Sequence, residues 1–156
     1  MDPSRTPVLV GQGQITQREP DPEKALAPLD LTAAAARSAA DDSGAGARLL
    51  ESLDTVVVLR SFSDTSWRFK SPFGRYENPP LALAQRLQAH DVRRHIYTHP
   101  GGNMPQWCIN RLSEEVTRGE TRAVLIAGGE ALATQKAAQR AEREQRRGQG
   151  CVAGQR

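Results

Sequence analysis

The run Asp54-Thr55-Val56-Val57-Val58-Leu59-Arg60 constrains the chain more than any other stretch. Its β-branched and apolar residues stand on consecutive positions rather than alternating ones, so a strand built from them must be covered on both faces. Strands of that kind belong to parallel sheets, whose members are joined by crossover segments, usually helices.

The flanking sequence supplies such crossovers. Pro7-Val8-Leu9-Val10-Gly11 reads as a first buried strand, and Gly11-Gln12-Gly13 closes it as a tight turn. Asp30 stands where an N-cap is expected, ahead of Leu31 and the block Ala33-Ala34-Ala35-Ala36, with Gly44 placed to end that helix. After the central strand, residues 61–80 form a polar excursion that carries Trp67, Phe69, Phe73 and Tyr76. Leu81 to Gln88 is a short helix after Pro79-Pro80, and Arg94 to Thr98 a third strand. A helix from Asn103 to Thr117 ends at Arg118-Gly119-Glu120, and Ala123-Val124-Leu125-Ile126-Ala127-Gly128-Gly129 is a fourth strand. Alternating strands and helices predict an α/β fold with a mostly parallel sheet and helices on both faces.

At 156 residues the chain is of single-domain size. Aromatics make up only 4%, so the core has to be assembled from Ala, Val, Leu and Ile. Cys108 and Cys151 have neither a disulfide framework nor metal-ligand spacing around them, which excludes a zinc site of regular type and points to a reducing, cytoplasmic setting. No apolar run is long enough to span a membrane. The net charge of +3 is concentrated between Lys136 and Arg147, where Lys136, Arg140, Arg143, Arg146 and Arg147 face only Glu142 and Glu144. The expected organisation is a domain over 1–134 and a basic tail over 135–156, helical or disordered.

The chemistry-bearing stretch is Thr98-His99-Pro100-Gly101-Gly102-Asn103-Met104-Pro105-Gln106. A strand that turns through glycines into a helix aims backbone N–H groups at one point, which suits an anion or a nucleophile. Asn103 with Gln106 three residues on has the capping-box pattern. No Cys, Ser or Lys stands on the turn itself. Gly11-Gln12-Gly13 lacks the third glycine and the immediate helix of a dinucleotide fingerprint, and no phosphate loop of the Gly-Lys-Ser/Thr kind occurs.

Taken in order, Pro7-Val8-Leu9-Val10-Gly11, Asp30-Leu31-Thr32-Ala33-Ala34, Leu53-Asp54-Thr55-Val56, Gly101-Gly102-Asn103 and Arg118-Gly119-Glu120 through Gly128-Gly129-Glu130-Ala131 resemble the N-terminal half of the thiolase superfamily, and within it the acetyl-CoA acetyltransferase-like branch. The resemblance covers Pro7 to Arg140. It implies a layered fold of two similar halves, an acyl-CoA substrate with no resident cofactor or metal, and acyl transfer through a cysteine thioester. It places that cysteine at about Gly102, and glycine cannot be acylated. Cys108, five residues beyond the helix cap, is the substitute candidate, but its register with Leu112 and Val116 marks a core thiol. Cys151 reads as a spare thiol of the tail. His99-Pro100 is a turn histidine rather than the Gly-His-Pro histidine of the family, which belongs to the second half; His90 and His95 have no motif support.

Two function classes follow. One is a thiolase-like acyltransferase half, truncated or frame-shifted and inactive alone, whose Gly101, Gly102 and Asn103 bind substrate through backbone amides. For it self-association or a partner half is expected, with Trp107, Ile109, Leu112 or Val116 partly exposed. The other is a non-enzymatic protein gripping nucleic acid or an acidic partner with the basic 136–147 helix.

Overall fold

In the computed structural model all residues are described except 1, 2, 20, 22, 66–70, 72 and 153–156, and residues 143–152 are described as backbone alone. Three parallel strands form one sheet in the order β2 (Arg94–Tyr97), β1 (Thr55–Val58), β3 (Val124–Ala127). The consecutive apolar residues act as expected: Thr55, Val56, Val57 and Val58 are all buried because β1 is central and covered on both sides.

Two layers cover the sheet. On one face α1 (Pro28–Asp42), α2 (Ala47–Glu51) and α3 (Pro79–Arg86) gather Leu29, Ala33, Ala36, Ala40, Leu50 and Leu83 around Val56 and Val58. On the other face lies α4 (Met104–Arg118), which packs Cys108 and Leu112 against Val57, Ile96, Val124 and Ile126. The alanine block of α1 is what lets a helix approach closely in a chain short of aromatics. A last helix, α5 (Leu132–Val152), follows β3 and runs unbroken through positions 134 and 135, where Thr134 and Gln135 are buried.

Several expected boundaries move, each for a local reason. Residues 7–13 form no strand: Val8, Leu9 and Val10 are 73%, 88% and 55% exposed, because the segment pairs with no strand and lies along α1. Nor is Gly11-Gln12-Gly13 a tight turn. A Cβ at Gly11 would sit 2.1 Å from the Ala39 carbonyl oxygen and one at Gly13 2.2 Å from that of Ala35, so the glycines serve a close backbone approach. The Gln12 N–H is held by Asp42 Oδ2 at 2.9 Å.

Asp30 does not cap α1; the helix starts at Pro28 after Ala27, since proline is preorganised for a first turn, and Asp30 instead pairs with Arg86 at 2.6 Å. Likewise Pro79 and Pro80 lie inside α3, whose cap is Asn78, its Oδ1 accepting from the Leu81 N–H at 3.1 Å. The excursion contains a 3-10 turn, Phe62–Asp64, while Trp67 and Phe69 lie outside the described residues. Gly119 ends α4 in the left-handed region at φ +74°, as a C-terminal glycine should.

Candidate functional site

The carboxyl ends of β1 and β2 carry the polar chemistry. From β2 the chain passes through Thr98, whose Oγ1 accepts from the Arg60 N–H at 3.1 Å and donates to the His99 carbonyl at 2.9 Å. His99 and Pro100 are exposed. The backbone then turns: the Met104 N–H donates to the Gly101 carbonyl at 3.1 Å, and the Trp107 N–H to the Asn103 carbonyl at 3.0 Å. Gly101, Gly102 and Asn103 all lie exposed at this turn into α4.

The capping box is not formed. Asn103 already has helical torsions, φ −84° and ψ −12°, so its side chain is not aimed at the first-turn amides. Its Oδ1 instead folds back to within 2.7 Å of where a Cβ of Gly101 would be, and Gln106 Nε2 donates to Asn110 Oδ1 at 2.8 Å. Pro105 removes one of the free donors from the first turn of α4. Gly102 differs from Gly101 in that an added Cβ would meet no atom within 4 Å.

Cys108 is 2% exposed, just over one turn into the helix, against Val57 and Leu112. Burial pushes its thiol above the ordinary range, the opposite of what a thiolate nucleophile requires. Of the four α4 residues among which partial exposure is expected, Trp107 and Ile109 are 54% and 50% exposed, Val116 is half-buried and Leu112 is buried. Farther along α4 the carboxylate of Glu115 is buried and held by Arg94 at 2.7 Å and Arg111 at 3.0 Å, which ties the helix to β2.

A second group of polar residues escaped the sequence reading. Tyr97 donates its hydroxyl proton to Asp64 at 2.8 Å, Arg75 pairs with Asp64 at 3.3 Å, and the Arg60 guanidinium lies 4.6 Å from the centre of the Tyr97 ring. Burial and the Asp64 carboxylate together push the Tyr97 hydroxyl up to about 12. Glu130, directly after Gly128-Gly129, accepts from the Phe62 N–H and so pins the excursion to the end of β3. The signal available was positional: Arg60 and Tyr97 close the two strands at the sheet end where ligands of open parallel sheets bind. Beside this network, on the α1 and α3 face, lies a pocket of about 90 Å³ lined in part by Pro28, Leu29, Val58, Asp64, Arg75 and Tyr97.

At the opposite end of the sheet Asp54 is structural. Its carboxylate accepts from the Thr121 hydroxyl, the Arg122 N–H at 2.7 Å and the Thr55 hydroxyl at 2.9 Å. Burial alone would raise its pKa, but these hydrogen bonds outweigh burial and hold the carboxyl below its usual range. Among the described residues no group of three or more His, Cys, Asp or Glu is placed to hold a metal ion, and no helix is long and apolar enough to cross a membrane.

A three-stranded parallel sheet between helical layers, with a glycine turn leading from an edge strand into a helix, defines a thiolase-like α/β domain. Among solved structures the chain is similar to the monomeric SCP2-thiolase like protein type 1 from Mycobacterium smegmatis, at 28% identity and a TM-score of 0.67 over 83% of this chain. The chain spans 24% of that protein's length. No family model and no curated protein matches the sequence.

Proposed function

We propose that the chain serves acyl-CoA chemistry as the N-terminal part of a thiolase-like acyltransferase of the acetyl-CoA acetyltransferase type, and that it does not catalyse transfer by itself. One observation supports this reading: Gly102, where the resemblance puts the nucleophile, lies exposed on the strand-to-helix turn, while Cys108 is sealed in the core. A substrate thioester would meet the exposed backbone of Gly101, Gly102 and Asn103, where the partial positive charge of the α4 amino end favours its oxygen. Acid/base groups for turnover would come from further sequence or from a partner, and self-association through the exposed α4 face is part of the same proposal.

Titration of the protein with acetyl-CoA, followed by tryptophan fluorescence and by release of free coenzyme A, tests this. The expected result is saturable quenching without release. Steady release that disappears in Cys108→Ala would overturn the inactive reading, and an absence of binding would overturn the acyl-CoA reading.

A second reading has one observation behind it. Lys136 and Arg140 are exposed four residues apart on α5, on the face of a helix whose backbone continues to Val152. If this face grips a polyanion, binding to duplex DNA must fall steeply with salt; no binding at low salt eliminates it.

A further inference from the structure

Val8, Leu9 and Val10 are exposed, yet the segment that carries them is held in place from one side. Gly11 and Gly13 approach the Ala39 and Ala35 carbonyls of α1, and Asp42 Oδ2 holds the Gln12 N–H at 2.9 Å. Ala39 and Ala35 lie about one helical turn apart, roughly 6 Å, which matches the advance of two extended residues, about 6.6 Å. The backbone therefore passes α1 as an extended chain. Among the described residues no hydrogen bond engages the main chain of Val8, Leu9 or Val10. An apolar, valine-rich strand edge is thus presented unpaired, with part of its ordering cost already met by α1.

The strand that fits this edge is its own copy. Read about Leu9, the sequence Pro7-Val8-Leu9-Val10-Gly11 is self-complementary: an antiparallel two-fold partner sets Val8 against Val10 and Leu9 against Leu9, with no charge in the ladder. Both ends limit the register, because Pro7 has no N–H to give and that of Gln12 is held by Asp42. Charge complementarity points the same way. In this register Arg5 of the second copy comes opposite Gly13, beside Gln12 and the exposed Asp42 carboxylate, and the two-fold axis repeats the attraction. A strand of arbitrary sequence offers neither match. We propose that two copies of the chain join through an antiparallel ribbon of residues 8–10 centred on Leu9. The ribbon uses neither Trp107 and Ile109 of α4 nor the Gly101-Gly102-Asn103 turn, so it stands or falls apart from the acyl-CoA reading.

Cross-linking tests the register and sedimentation tests the surface. In a Cys151→Ser background, Leu9→Cys sets two thiols across the two-fold axis with Cα atoms about 4.5–5.5 Å apart, within reach of a disulfide. Gln12→Cys separates its own pair by six strand residues, about 20 Å. Mild oxidation should therefore link Leu9→Cys into dimers at least about tenfold faster than Gln12→Cys. The parent should dimerise weakly, with a dissociation constant on the order of 100 µM, because the ribbon buries well under about 1,200 Å². Leu9→Lys should raise that constant at least about tenfold by facing like charges. Asp42→Asn, which keeps an acceptor for Gln12, should raise it about threefold, and Trp107→Ser should leave it unchanged. Leu9, Gln12, Asp42 and Trp107 are all exposed, so these variants keep the parent's fold. Equal cross-linking of the two cysteine variants, a parent that stays monomeric to millimolar concentration, or a dimer lost in Trp107→Ser and kept in Leu9→Lys would overturn the proposal.

Discussion

At Gly102 the surroundings leave room for a side chain, since an added Cβ would touch nothing within 4 Å. Gly102→Cys should therefore fold like the parent and present an exposed thiol at the helix mouth. Its alkylation by iodoacetamide is expected to run at least about tenfold faster than that of Cys108, whose thiol is buried and less acidic; equal rates would contradict the assignment. Asp54 offers a second test. Asp54→Ala leaves the buried Thr55 and Thr121 hydroxyls only each other, 3.1 Å apart, so that one of them loses its acceptor, a loss of about 1–3 kcal/mol in urea denaturation. Because its folded pKa is depressed, the Asp54 contribution is fully present above about pH 4 and fades as the pH falls through the lower folded value. An acid-stability curve with the same slope in Asp54→Ala as in the parent would refute that. Residue chemistry was legible in sequence where it depended on neighbours in the chain: the register of Cys108 with Leu112 announced a core thiol. Asp64, Arg75 and Tyr97 are brought together only by tertiary folding, and no spacing announced them.

Among the elements, α4 shows which signals survive folding. Gly119 ended the helix as read, because the left-handed C-terminal position excludes nearly everything else without strain. Gly119→Ala should lower stability by about 1 kcal/mol, measurable as a shift of the thermal midpoint. The capping box at Asn103 and Gln106 failed because a cap needs extended backbone at Asn103, and the Gly101-Gly102 turn delivers it already helical. Val8-Leu9-Val10 failed for another reason: β-branched and apolar composition specifies a strand only if an edge is there to pair with it. What fixes that segment instead is contact of its glycines with α1. Gly13→Ala places a methyl in the Ala35 carbonyl, and faster hydrogen exchange at Gln12, whose N–H loses Asp42, is the expected sign. The central strand was legible, though read over 54–60 where it spans Thr55–Val58, because its burial on both faces is written in consecutive residues.

For the molecule as a whole, the parallel α/β layering was readable from the order of elements, and the charge asymmetry placed the basic residues on α5. Exposed Val8, Leu9, Val10 and Ile15, together with Trp107 and Ile109, predict association at high concentration. Sedimentation velocity should show it, and Leu9→Lys should reduce it; a clean monomer across the concentration range would count against the idea. The strand register carries one more consequence, in time rather than space. β1 is made first, yet its neighbours pair through Thr55 with Arg94 and with Val124. On a ribosome adding roughly 5–20 residues per second, Val56-Val57-Val58 therefore waits on the order of several seconds for its second partner. During that interval the apolar strand has at most β2 beside it and one edge open, and a nascent chain of this protein should engage chaperones until Ala127 has left the exit tunnel.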